Sequence, residues 1–434
     1  MAKSNIVTAL DIGTSAIKGL QIRFYDGTGE PELLGTAQSP SGGVRKGVVV
    51  DHQEVAEIVK KVLDELFAVS RQKIGGIFVN IGGSHLFLTS SQGGVAVSRA
   101  DQRISREDLD RVLAAAQALS LPANKEILDA WPKEFAVDQE RGIKEPLGMK
   151  GIRLEVEILA VCGFSPYVKN VSDAVLGSGY QIYDVIPSPI AAAKSILSPR
   201  QRELGCAVVD IGARTTDFSV FEEGELIHAA VFPVGSANIT DDIAIGLKID
   251  IDSAEKIKKV FGLPLVKTGI KQFSLTRAKS HKIGKERKAK SALKRGRDKK
   301  SGKIIEVEIS PGSFAAFPQK AFAGIVEARL HDIFDAVNRE LKKISRQELL
   351  PAGVFLTGGG AQMAHIVDVA KRELKLPCSV GLAHGIRGLQ EDPSWTAACG
   401  LALHGFEADA GRTPRFVTSA LGDKIKGWLK MFIP

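Results

Sequence analysis

The chain has 434 residues, is 44% hydrophobic and 25% charged, and carries four cysteines. These are the proportions of a folded protein of several domains, not of a disordered one. No apolar run reaches the roughly 18 residues of a spanning helix, and Asp11 interrupts the opening residues too early for a secretory leader. Cys162, Cys206, Cys378 and Cys399 never fall in C-x-x-C spacing, which argues against zinc or redox pairs and for a reducing cytoplasm. The net charge of +8 is local: residues 267–303 hold 15 Lys/Arg against Glu286 and Asp298, leaving the rest mildly acidic. Basicity is thus a property of one insertion, and no nucleic-acid partner is expected.

In chain order, Ile6 to Leu10 is an apolar strand that ends on Asp11-Ile12-Gly13, followed by Thr14-Ser15 and a second strand from Ile17 to Ile22. Gln53 to Val69 puts Val55, Ile58, Val59, Val62, Leu63, Leu66 and Phe67 on one stripe of an amphipathic helix. Between Gly83 and Gly163 lies a stretch with strands of its own and a helix starting at Ser105, with Leu109, Val112 and Leu113 on one face. It reads as an inserted subdomain. The opening motif then returns: Cys206 to Val209, Asp210-Ile211-Gly212, Ala213-Arg214-Thr215-Thr216, and a strand from Phe218. Two related lobes, each opening with the same hairpin, are the economical reading. The basic segment 267–303 has little apolar periodicity and reads as a solvated loop. Val354-Phe355-Leu356 is a short buried strand, followed by Gly358-Gly359-Gly360 and a helix carrying Ile366, Val367, Ala370 and Leu374. Strands alternating with helices make an α/β fold.

After Gly405 the chain turns polar, and then Leu421, Ile425, Trp428, Leu429, Phe432 and Ile433 form one stripe flanked by Lys424, Lys426 and Lys430, with Ser419 able to cap it. A helix from Leu421 to Ile433 is about 20 Å long, too short to cross a bilayer. A basic amphipathic helix with Trp and Phe lies in the headgroup plane instead, each Lys adding about 1 kcal/mol near an anionic leaflet.

A tight turn with Gly beside Thr or Ser exposes successive backbone N–H groups that can cradle phosphate oxygens. Thr14, Ser15, Thr215 and Thr216 add hydroxyls and Lys18 a charge. Asp11 and Asp210 would repel a bare phosphate, but they suit a hydrated Mg²⁺ between carboxylates and phosphates. Two such hairpins facing each other make a clamp for a magnesium nucleotide. The triple glycine allows close backbone approach to a nucleoside, although a packing turn uses the same residues. Walker, G-x-G-x-x-G, G-x-S-x-G and H-E-x-x-H patterns are all absent from the sequence.

With these motifs the chain resembles the FtsA family of bacterial cell-division proteins, a divergent branch of the actin and heat-shock chaperone superfamily, over nearly its full length. Ile6–Ile22 is similar to that superfamily's first phosphate motif, Ala207–Phe221 to its second, and Val354–Ile366 to its adenosine motif. Val185–Ala193 and Trp395–Gly405 are similar to its interlobe connecting helices; Trp131–Phe135 and Arg141–Leu154 resemble the end of the FtsA-specific subdomain. The resemblance implies an actin-like two-lobed ATPase fold. Residues 1–83 and 164–200 would be one lobe, 84–163 the insertion, and 201–405 the other lobe. That second lobe would include a subdomain of about 236–320, with a linker 406–420 and a membrane-targeting helix 421–434 to follow. It implies ATP with Mg²⁺, held by Gly13, Thr14, Ser15, Lys18, Gly212, Ala213, Arg214, Thr215, Gly235, Glu255, Lys258, Gly358, Gly359, Gly360 and Met363. The metal would be met through water by Asp11 and Asp210.

Ala213 and Arg214 replace two glycines of the usual second motif, which restricts that turn. Ser188 stands where the chaperones carry Glu, so hydrolysis is expected to be slow at most. The implied partners are FtsZ through its tail peptide, other division proteins, further copies in a filament, and the anionic inner face of the cell membrane at the septum. A PilM-like pilus adaptor, a small-molecule kinase and a heat-shock chaperone share the superfamily; the amphipathic tail weighs against all three.

Overall fold

The first hairpin joins strands Ser4–Ile12 and Ala16–Tyr25 in antiparallel register, with Asp11 opposite Lys18 and Ile12 opposite Ile17. This is seen in a computed structural model that describes residues 4–25, 28–119, 121–263, 297–298, 302–310 and 313–409. Strand Thr28–Pro40 extends the meander, and Gly76–Ile81 and Gln181–Pro187 add parallel strands on the other side of Ser4–Ile12. Gly76–Ile81 is buried along its whole length, as expected for a strand covered on both faces. Helix His52–Ser70 lies against this sheet, its Asp51 cap accepting from the Gln53 and Glu54 N–H groups, and buries Val55, Val59, Val62, Leu63 and Leu66.

The second sheet repeats the design. Cys206–Ile211 pairs antiparallel with Thr216–Glu222, which pairs with Glu225–Phe232; Gly353–Thr357 and Cys378–Val380 add the parallel strands. Strand order and directions match those of the first sheet, so the repeated motif is a repeated architecture.

Helices Ser188–Ile196 and Thr396–Asp409 pack on each other. Gly400 allows this, because an added Cβ would fall on the Ala191 carbonyl oxygen. Phe406 meets Phe24 edge-on at 4.7 Å, docking the second helix on the first sheet.

The inserted segment folds as a four-stranded antiparallel sheet in the order Phe87–Ala96, Arg153–Phe164, Lys125–Val137, Glu140–Ile143. Helix Arg106–Gln117 packs against it, with Leu109, Val112, Leu113, Phe135, Val156 and Ile158 in one core. Ser105 and Asp108 form a capping box at its start.

The chain divides into two units, and all of the above belongs to the larger. The smaller comprises 237–332 and 363–369. Within it, helix Ile251–Phe261 ends at Gly262, whose φ is +53°, and the Leu263 N–H donates to the Ala364 carbonyl at 3.2 Å. Arg329 makes a bidentate pair with Asp242 at 2.7 and 3.1 Å. The end of the basic segment is strand, not loop: Arg297–Asp298 and Gly302–Ser310 pair antiparallel, the latter also with Ser313–Pro318. Only the start of Gly302–Ser310 belongs to that segment; the strand's apolar residues, such as Ile305 and Val307, lie beyond it. The rest of the basic segment, the linker beyond Asp409 and the amphipathic stripe from Leu421 to Ile433 lie outside the described residues. All four cysteines are buried. Among the described residues no helix is long and apolar enough to cross a membrane.

Candidate functional site

Both hairpin turns close with the same backbone bond. The Gly13 N–H donates to the Ala16 carbonyl at 3.1 Å, and the Gly212 N–H to the Thr215 carbonyl at 2.9 Å. Neither glycine has positive φ; what each needs is room. A Cβ on Gly13 would lie 2.9 Å from the Ala16 oxygen, and one on Gly212 3.1 Å from the Thr215 oxygen. Ala213 and Arg214 do not take positive φ either, so the second turn forms without the two glycines they replace. Gly235 supports it from beneath: its Cβ would meet the Gly212 oxygen at 2.6 Å, and the Ser236 N–H donates to that oxygen at 2.8 Å. The first turn is held by Gly47, whose N–H donates to Thr14 Oγ1 at 3.0 Å; Ser15 remains exposed.

The triple glycine faces the second hairpin. Gly358 has φ +80°, and a Cβ there would collide with Asp210 Oδ1 and the Ile211 carbonyl. Gly360 leaves room for the Ile211 side chain, whereas Gly359 has open space.

Three carboxylates act on one another electrostatically. Burial raises the Asp11 carboxyl, against the pull of Lys18 and the Asn80 hydrogen bond. Burial and then the Asp11 charge push Asp210 up to about 7, with Lys18 opposing. Asp217, opposite Asp210 in the hairpin register, is raised well above the ordinary range by burial, Asp210 and Asp11. Asp217 Oδ1 is buried and meets no hydrogen-bond donor among the described residues. Mutual repulsion and an orphaned acceptor are what a hydrated divalent cation relieves, so the residues fit magnesium; Asp11 and Asp210 would hold its water shell. Among the described residues no group of three or more His, Cys, Asp or Glu is close enough to hold an ion directly.

Lys18 is occupied within this unit: its ammonium donates to the Ser394 carbonyl and lies 5.4 Å above the Trp395 ring. Glu255 and Lys258 lie in the smaller unit. There Lys258 Nζ reaches Glu255 Oε2 at 2.7 Å and Thr240 Oγ1 at 2.8 Å, while Thr240 donates to Glu255 at 2.5 Å. Burial would raise the Glu255 carboxyl, but bonds from Lys258 and Thr240 hold it below the usual range. Met363 is in the same unit.

Sequence reasoning missed Asn80, Ser188 as its partner, Asp217 and Gly47. A lone Asn in the otherwise apolar run of Gly76–Ile81 was the available signal for the first, since buried polar groups require partners.

The chain matches the family model "Cell division protein FtsA" over residues 207–400 and "SHS2 domain inserted in FTSA" over 83–162. It is 31% identical to the cell division protein FtsA of Pseudomonas aeruginosa, covering 93% of this chain and 89% of that one. To FtsA of Bacillus subtilis it is 31% identical, covering 92% and 83%. Among solved structures, the PilM-PilN type IV pilus biogenesis complex matches with TM-score 0.60 at 17% identity, over 92% of this chain and 98% of that one. That likeness is one of fold.

Proposed function

Because the chain belongs to the FtsA family of cell-division proteins, with an actin-like α/β fold, we propose that it is a nucleotide-dependent adaptor of the division machinery. In this reading ATP with Mg²⁺ is clamped by the Gly13 and Gly212 turns, and the nucleotide-bound form stacks into filaments. The tail stripe Leu421–Ile433 anchors each subunit weakly to the anionic inner face of the cell membrane. A filament multiplies weak anchors by raising effective concentration, and so holds FtsZ filaments at the septum.

The observation that carries the nucleotide part is the twin turn: two hairpins with the same backbone bond, in two sheets of the same strand order, bring three acids together. ATP turnover is expected to be weak, because Ser188 carries no charge and is engaged by Asn80 and the Ile81 carbonyl.

The test is titration of the full chain with a fluorescent ATP analogue. Gly212→Val, whose side chain must displace the Thr215 carbonyl, is expected to weaken binding by at least about tenfold, or roughly 1.4 kcal/mol. Binding at wild-type strength by a folded Gly212→Val protein sinks the clamp.

A further inference from the structure

Asn80 sits in the strand next to the first hairpin and is 5% exposed. Its Oδ1 accepts from the Ile12 N–H at 2.7 Å, and that bond fixes which way the amide points, since a backbone N–H can only donate. Its Nδ2 donates to Asp11 Oδ1 at 2.7 Å and to Ser188 Oγ at 3.1 Å. Ser188, also 5% exposed, donates its own hydroxyl hydrogen bond to the Ile81 carbonyl at 3.1 Å. Both amide protons are therefore committed, so Asn80 is not placed to polarise a water. Its position does something else. One carboxylate oxygen of Asp11 is pinned by a group that is itself pinned by the backbone of Asp11's own strand. The same amide reaches the first residue of helix Ser188–Ile196, which packs on helix Thr396–Asp409.

We propose that Asn80 is a positioning residue: it sets the Asp11 carboxylate for the hydrated magnesium and ties that setting to the start of the Ser188–Ile196 helix. The inference rests on the nucleotide reading above and deepens it by naming what orients the metal side of the site. A purely structural Asn80 would matter equally with and without the metal. A positioning Asn80 matters only with it.

The experiment titrates full-length protein with the fluorescent ATP analogue, once in Mg²⁺ and once in EDTA, for wild type, Asn80→Ala, Asn80→Asp and Ser188→Ala. Thermal melts without nucleotide check folding. Wild type should bind more tightly in Mg²⁺. Asn80→Ala should lose most of that gain, about tenfold, while staying within about twofold of wild type in EDTA. Asn80→Asp keeps the acceptor for the Ile12 N–H but, ionised, cannot donate to Asp11, so it should lose the gain too. Ser188→Ala, which leaves the Asn80 bond to Asp11 in place, should lose a smaller share. Variants that keep the wild-type magnesium gain, or that lose affinity equally in both conditions, overturn the proposal and leave the clamp standing. A wild type that binds no nucleotide overturns the clamp and this proposal together; one indifferent to Mg²⁺ overturns this proposal and the metal site alone.

Discussion

Ionising an acid that is enclosed beside two others is costly, and Asp210 shows which way the cost runs with pH. Its folded pKa is raised to about 7 from 3.8. Between those values the unfolded chain has released its proton and the folded chain has kept it. Stability from this group is therefore full below pH 3.8, falls as pH rises, and is lost above about 7. Asp210→Asn removes that slope. Without nucleotide it should melt higher than wild type at about pH 8, on the order of 1 kcal/mol more stable, the gap closing toward about pH 4. The same variant should bind magnesium nucleotide more weakly. Melts in a pH series check the first outcome; no gap at high pH would mean that neither burial nor the neighbouring Asp11 raises the Asp210 carboxyl in solution. At this scale the sequence was legible where a turn and its acid sit side by side, as at Asp11-Ile12-Gly13 and Asp210-Ile211-Gly212. It was silent where a residue acts across distant sequence: Asn80 reaches Asp11 and Ser188, and Lys18 reaches Ser394, through folding alone.

Two glycines in helices carry opposite expectations at the scale of elements. Gly324, in helix Gln319–Lys343, has nothing within 4 Å of an added Cβ, so Gly324→Ala should stabilise by about 0.5–1 kcal/mol through helix propensity. Gly400 lies where helix Thr396–Asp409 crosses Ser188–Ile196 on the Ala191 carbonyl. Gly400→Ala must part the helices and should destabilise by about 1–3 kcal/mol. Thermal denaturation of the pair decides; equal effects would remove the close crossing. In the inserted subdomain, burial would raise Asp108, but bonds from Ser105, Arg111 and Ser98 hold its carboxyl well below the usual range. A depressed carboxyl stabilises above its unfolded pKa and loses that contribution as pH falls through the folded one. Asp108→Ala should therefore cost about 1–2 kcal/mol at neutral pH, as read from the melting midpoint, and progressively less in strong acid. Long periodic elements were legible: the stripe from Gln53 to Val69 is the helix His52–Ser70, and Ser105 does cap its helix. Short ones were not. Strands Val44–Arg45 and Val48–Val49 place Gly47 against Thr14, yet two residues give no periodicity to read.

For the molecule as a whole, the repeated hairpin announced two sheets of like topology because the same local chemistry recurs at both. The pairing of helices Ser188–Ile196 and Thr396–Asp409 was implied by the resemblance of Val185–Ala193 and Trp395–Gly405 to connecting helices, but the depth of their approach depends on one missing Cβ that the resemblance does not show. The anchoring proposal belongs to this scale, since it needs many copies acting together. Removing residues 424–434 should abolish sedimentation with anionic vesicles in the presence of ATP while leaving nucleotide affinity unchanged. Unchanged sedimentation would transfer membrane attachment to another surface.

The enclosed thiols have a practical consequence. Burial pushes Cys162 and Cys378 up to about 11 and Cys206 and Cys399 up to about 12, so at neutral pH none offers a thiolate to a maleimide. The wild-type chain is in effect a dark background for labelling: a dye attached at one cysteine introduced on an exposed surface reports that point alone. Reaction of the native four then becomes a clock for the opening of their surroundings.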